Sequence, residues 1–321
     1  MKEQSSIHYD SMATYSIEPA RDTLHGTFSR EYPPILTIDS GDTVLFRILN
    51  AGWVLEPPSF KNARVKEFEP RIKGRDDGHA LCGPIAIRGA QPGMTLEIRI
   101  NEVRPELWGW TGGGGWESDV NKRFGLVEQG VELNWVLDAN AMIGRDQYGH
   151  TIALRPFMGI MGMPPDEPGI HPTFPPRFCG GNIDCKELVA GSTLYLPITV
   201  PEALFSVGDG HAVQGDGEVA GVAIECPMER VDLTFHLRND MRLTTPRANT
   251  SSGWITLGFH ENLHEASLIA LEAMLDLMGE RYQLPRPEAL ALASLVVDLH
   301  VTQIANGVLG VHAVLPHEAI R

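Results

Sequence analysis

Three stretches of the chain share one alternating pattern, in which Gly-x-Thr is followed by apolar positions at every second residue and ends on Ile. They are GDTVLFRI from Gly41, GMTLEIRI from Gly93 and GSTLYLPI from Gly191. A period of two marks a half-buried strand, the glycine supplies the turn before it, and threonine suits a first strand position. The three are read as equivalent strands of related β units. Their unequal spacing excludes a solenoid of fixed period. Further strands are predicted over 84–88, 203–207, 219–225 and 231–237, and a proline-rich connector occupies 163–177. The high counts of glycine (33) and proline (23) agree with many turns and short strands. Up to residue 238 the chain reads as mainly β, a sandwich or barrel-like pair of sheets.

Beyond that point the period changes. A strand is predicted over 254–259. Leu263, Ala266, Ala270, Ala273, Met274 and Leu277 then recur at helical spacing and predict a helix over 262–278. Pro285 and Pro287 end it and open a second helix, 288–304, closed by Asn306-Gly307, before a last strand at 310–315. The expected organisation is a β-sandwich-like body, residues 1–238, that carries the active site, and a strand–helix–helix–strand α/β part, residues 239–321.

Charge narrows the partners. A net −15 with no Lys/Arg run argues against nucleic acid or an anionic membrane surface. The longest apolar stretch, 289–297, is too short to span a bilayer. The N-terminus shows no apolar leader, and Cys82, Cys179, Cys185 and Cys226 form no C-x-x-C pair, so a cytoplasmic protein with reduced thiols is expected.

Chemistry concentrates in three clusters. SVGDGHAVQGDGEVAGVAIE from Ser206 places Asp209 and His211, and Gln214, Asp216 and Glu218, on common faces if the chain is extended there. RFCGGNIDC from Arg177 holds Gly180, Gly181, Asn182 and Asp184, and DDGHALCGP from Asp76 holds His79. Each alone reads equally as a turn with solvated or self-capping side chains. Together they supply what hydrolysis of an unactivated amide needs: His and carboxylates to hold a metal, and a further acid to move a proton. No G-x-S-x-G elbow is present, and WGWTGGGGW at 108–116 lacks the Gly-Lys-Ser/Thr of a phosphate loop, so it reads as a flexible loop between aromatics.

GHALCGPIAIRGAQPGMTLEIRI from Gly78, RPFMGIMGMPPDEPG from Arg155, and the long run from Cys179 to Glu225 resemble the acetamidase/formamidase family. The resemblance implies hydrolysis of short linear amides, or in some members cyclic ones, on a β-sandwich-like fold with an α/β C-terminal part. It also implies a divalent metal, zinc ahead of calcium, and homo-oligomers. The chain departs from the family at Cys82, where threonine is common, and at Cys179, where a different small or polar residue is expected. On this reading His79, Asp184 and His211 are metal-ligand candidates. Glu218 is the general base and then acid, Asp216 orients it or joins the metal shell, and Gly180, Gly181, Asn182 and Gln214 orient the amide. A lactamase acting on a small cyclic amide and a non-catalytic metal- or ligand-binding β protein are the alternatives.

Overall fold

In the computed structural model, which describes residues 12–57 and 65–321, the chain forms packed, mainly antiparallel sheets. Residues 1–11, on which the expectation of no leader rests, lie outside the described residues. One sheet has nine strands, in the order Thr14–Ile17, Thr43–Ile48, Met228–Arg238, Thr95–Pro105, Thr193–Pro197, Arg247–Asn249, Gly253–His260, Leu309–Pro316 and Asp298–Gln303. All three Gly-x-Thr strands fall in this sheet, and Thr95–Pro105 pairs directly with Thr193–Pro197. A six-stranded sheet runs Gly180–Asn182, Phe157–Gly162, Phe205–His211, Leu81–Ile87 and Leu24–His25, with Leu36–Ile38 also paired to Leu81–Ile87.

Alternation drives the packing of these two sheets. Phe46, Leu96, Ile98, Leu196, Leu233 and Phe235 of the first share one core with Ile85, Ile87, Met158, Met161, Phe205 and Val207 of the second. Phe205 and Phe235 meet edge to face, 5.1 Å between ring centroids. Full burial of such a side chain contributes about 1.5–3 kcal/mol, so the facing rows supply much of the body's cohesion.

The C-terminal residues extend the nine-stranded sheet and carry their own apolar layer. Helix Leu263–Tyr282 is capped by Asn262, whose side chain accepts from the His264 and Glu265 amides. Its buried face, Ala266, Ala270, Met274, Leu277 and Met278, packs with Ala289 and Ala293 of helix Arg286–Val296 and with Val311, Ala313 and Leu315 of the sheet. No helix among the described residues is long and apolar enough to cross a membrane.

Three local expectations are corrected. The second helix ends at Val296, because Asp298–Gln303 pairs with Leu309–Pro316 and Asn306-Gly307 turns a hairpin, with Gly307 at φ 75°. Residues 108–116 are no loose loop: Trp108–Gly114 is a strand paired along Gly130–Asp138. A side chain at Gly109 would press on Ile224 and the Glu225 carbonyl, so glycine there permits a close approach. Residues 219–225 form no strand, because Gly217, Glu218 and Gly221, at φ 95°, 43° and 79°, coil the backbone.

The contact between helix Leu263–Tyr282 and its sheet depends on Gly258, where an added Cβ would overlap the Ala266 carbonyl and lie 2.6 Å from the Ala270 amide nitrogen. Gly258→Ala should lower stability by about 1–3 kcal/mol in urea unfolding, the usual penalty of overpacking. Gly113→Ala, where a Cβ meets open space, should stay within about 0.5 kcal/mol of the parent.

Candidate active site

The strand pair Phe157–Gly162 and Phe205–His211 builds the site. Met158 stands opposite Gly210 and Ile160 opposite Gly208, so Gly159 faces Asp209. A Cβ on Gly159 would fall 2.5 Å from Asp209 Oδ2, 2.7 Å from Asp184 Oδ1 and 2.9 Å from the His211 ring. The glycine thus clears the volume in which three polar side chains converge. Its carbonyl also accepts from the Ile183 and Asp184 amides, at 2.9 and 3.2 Å, and so fixes the chain where Asp184 leaves the sheet. Asp184, Asp209 and Glu218 all have left-handed backbones, φ 51°, 60° and 43°. Such conformations cost free energy, and they cluster here at one place.

His211 sits at the centre and is buried. Its Nε2 lies 3.3 Å from both Asp209 Oδ1 and Glu225 Oε1, and its Nδ1 lies 4.0 Å from Asp184 Oδ1. The Phe157 ring stands edge-on to the imidazole at 5.1 Å. Glu225 is steadied by the Ala223 amide, and Asp184 Oδ2 accepts from Asn306 Nδ2 at 2.8 Å. Three buried polar atoms of this group, Asp184 Oδ1, His211 Nδ1 and Glu218 Oε2, have no hydrogen-bond partner.

Electrostatics follow from burial and charge density. Burial alone would lower the His211 pKa, yet Glu225 and Asp209 outweigh it and raise it well above the ordinary value. Burial works to raise Asp209, but His211 outweighs it and holds the carboxyl below the usual range. Burial, and next the charge of Glu218, raise Asp184 well above that range. Burial, opposed by His211 and aided by the charges of Glu225 and Asp209, pushes Glu218 up to about 8. The cluster therefore divides: Asp209 favours its ionised form, and Asp184 and Glu218 favour their protonated forms.

A cavity of about 340 Å³ opens onto this cluster, lined among others by Trp53, His79, Trp110, Phe174, Asn182 and Asn306. Asp209, Glu218 and Glu225 reach its wall. Trp110 is held there by the Trp108–Gly114 strand, through reciprocal backbone hydrogen bonds with Glu225. His79 Nδ1 pairs with Thr173 Oγ1 at 2.7 Å, and its ring packs on Phe174.

The expected residues are thus partly assembled. Asp184, His211 and Glu218 come together, each offering a donor atom within 4.8 Å of the others. His79 and Asn182 line the cavity but stand outside that group. Asp216 is not beside Glu218. It pairs with Lys186 Nζ at 2.9 Å and His300 Nδ1 at 3.1 Å, because the coiled backbone breaks the assumed alternation. Burial would raise Asp216, but Lys186 outweighs it and keeps the carboxyl below its ordinary range. Gly180 and Gly181 do not line the cavity either. They pair with Phe157–Gly162, where a Cβ on Gly180 would strike the Met161 carbonyl. Gln214 binds the Asp184 carbonyl through Nε2 at 2.8 Å and so supports that loop from behind.

Glu225 and Asn306 also belong to the site, and no sequence motif marks them. Glu225 arrives through isolated bridges to His211 and Trp110, and Asn306 from a hairpin of the C-terminal part, neither of which leaves a local pattern. The cysteines are all free and buried, and burial pushes Cys179 up to about 11 and Cys185 up to about 12, which disfavours a thiolate nucleophile.

Comparison with known proteins bears on the family and the fold. A formamidase homologue of Schizosaccharomyces pombe is 29% identical over 255 residues, 61% of this chain and 60% of the relative. The acetamidase of Mycolicibacterium smegmatis is 27% identical over 198 residues, 44% of this chain and 49% of the relative. The matches therefore span between half and three-fifths of these curated relatives. The crystal structure of acetamidase from Bacillus halodurans superposes with a TM-score of 0.80 at 24% identity, covering 94% of this chain and 97% of that one, which shows the shared fold. The profile of the acetamidase/formamidase family matches residues 14–171 and 167–252, a stretch that contains Asp184, Asp209, His211, Glu218 and Glu225. On that match, which takes in both packed sheets of the body and its buried acid cluster, the chain belongs to the acetamidase/formamidase family.

Proposed function

We propose that the protein hydrolyses small linear amides, of the formamide or acetamide kind, to the carboxylate and ammonia. The observation that carries this reading is the buried group of Asp184, His211 and Glu218, whose unpartnered atoms converge beside a small cavity. A volume of about 340 Å³ accommodates a small amide, at the lower end of the range of ligand pockets. Trp53, Trp110 and Phe174 give it apolar walls, and Asn182 and His79 give it polar ones.

The same group fits a divalent metal. Asp184 Oδ1 and His211 Nδ1 are buried donors without partners. Asp209 and Glu225 stand behind His211 Nε2, where they would accept its N–H while a metal displaced the proton from Nδ1. An imidazole among the ligands favours zinc over calcium. When bound, the metal would polarise the amide carbonyl and lower the pKa of water. The chain's own part is to seat the amide, exclude bulk water and manage one proton. Glu218 is suited to that last task, because it reaches the cavity wall from within the buried cluster, where a carboxyl can take a proton from water and yield it to the departing amine. Residence in the cytoplasm fits four cysteines that remain free thiols, and assembly into homo-oligomers completes the reading.

Three measurements test it. Ammonia release from an amide panel should favour formamide and acetamide over long-chain or peptide amides, and preference for the long ones would overturn the substrate assignment. Glu218→Gln keeps the shape of a protonated carboxyl but carries no transferable proton. Its kcat should fall by about 10²–10⁴ with the melting temperature little changed, and near-normal turnover would remove Glu218 from the reaction. Elemental analysis should find a divalent metal near stoichiometric, and chelation should silence ammonia release until zinc is restored.

A further inference from the structure

The family match ends at residue 252, yet one contact to the acid cluster comes from residue 306. Asn306 belongs to the hairpin between Asp298–Gln303 and Leu309–Pro316. Its Nδ2 donates to Asp184 Oδ2 at 2.8 Å, and it lines the cavity. Asp184 Oδ2 is thereby committed, while Oδ1 is left buried and unpaired.

The hairpin does not reach the site by a loose side chain. Gln303 Oε1 accepts from the amides of Ala305 and Asn306, at 2.9 and 3.2 Å, and its Nε2 donates to the Val308 carbonyl at 2.6 Å. Gln303 itself is fully buried. The strand end is then tied to the turn that bears Glu218. Gly217 N donates to the Thr302 carbonyl at 3.1 Å, and Ile304 N donates to the Gly217 carbonyl at 3.0 Å. One short segment, residues 302–306, therefore grips both the Glu218 turn and the Asp184 carboxylate.

We infer that Asn306 is a positioning residue of the active site, which turns Asp184 so that its free oxygen faces the incoming metal. The inference rests on the reading of the site given above. It also makes the C-terminal part a contributor to that site. Asn306 acts through Asp184, to which its amide is bound. Removing a hydrogen bond to a ligating carboxylate of this kind weakens metal binding by about 10–100-fold.

The test uses the full chain, with Asn306→Ala and Asn306→Leu. Leucine keeps the branching of asparagine at Cγ, is the larger side chain, and donates no hydrogen bond. The first readout is zinc affinity of the chelated protein by calorimetric titration, which needs no amide. Both variants should bind zinc about 10–100-fold more weakly than the parent, while their metal-free melting temperatures stay close to it. The second readout is turnover of acetamide at saturating zinc, where kcat should fall with KM little changed. Zinc binding by both variants equal to that of the parent would overturn the inference, as would a parent that binds no zinc. A parent that binds zinc more tightly than its variants, but releases ammonia from no amide, would uphold the role of Asn306 and refute the amidase reading alone.

Discussion

Four carboxyl groups, Asp184, Asp209, Glu218 and Glu225, surround a single buried imidazole, and most local irregularities of the β body follow from accommodating them. Burying charge without compensation costs far more than a fold of this size can spare, so such groups pair, protonate or bind a cation. Here the compensation is divided. His211 meets Asp209 and Glu225 through Nε2. Asp184 and Glu218 are left to hold protons, with pKa values raised chiefly by their own burial. A cation bound beside them would replace those protons, which is why the arrangement suits both metal binding and proton transfer.

That demand explains features that are otherwise odd for a sandwich. Three of the site's acids adopt left-handed backbones, and Gly159 sits where any side chain would collide with the cluster. The surrounding packing supplies the rigidity that holds such conformations. Phe157 backs the imidazole, and the Phe205–Phe235 pair locks the site-bearing sheet to the nine-stranded one. The apolar core is thus the frame against which polar groups are kept in unfavourable but useful positions.

Much of this was legible in the sequence, and the limits have physical causes. The Gly-x-Thr strands were readable because one face of each is buried, which forces alternation. The Asp209–His211 pairing followed from the same period, and the two side chains do meet. Asp216 was misplaced by that rule, since glycines at 215 and 217 allow the backbone to leave the extended region and carry Asp216 to Lys186. The WGWTGGGGW segment hid its strand because cross-strand contact with Gly130–Asp138 decides it, and a glycine run carries no alternation. Glu225 and Asn306 join the site through tertiary contacts alone, which no local spacing encodes.

The C-terminal strands also have a consequence for the sheet itself. Gly253–His260 pairs along Arg247–Asn249, so a chain ending at residue 252, where the family match stops, would keep every acid of the cluster but leave Arg247–Asn249 unpaired on one side. An open strand end of that sort recruits other chains. Leu309–Pro316 and Asp298–Gln303 move the boundary of the sheet two strands further out, and two helices pack on the face of Leu309–Pro316. The appended part therefore carries the free edge of the sheet away from the strands that hold the acid cluster, to Asp298–Gln303.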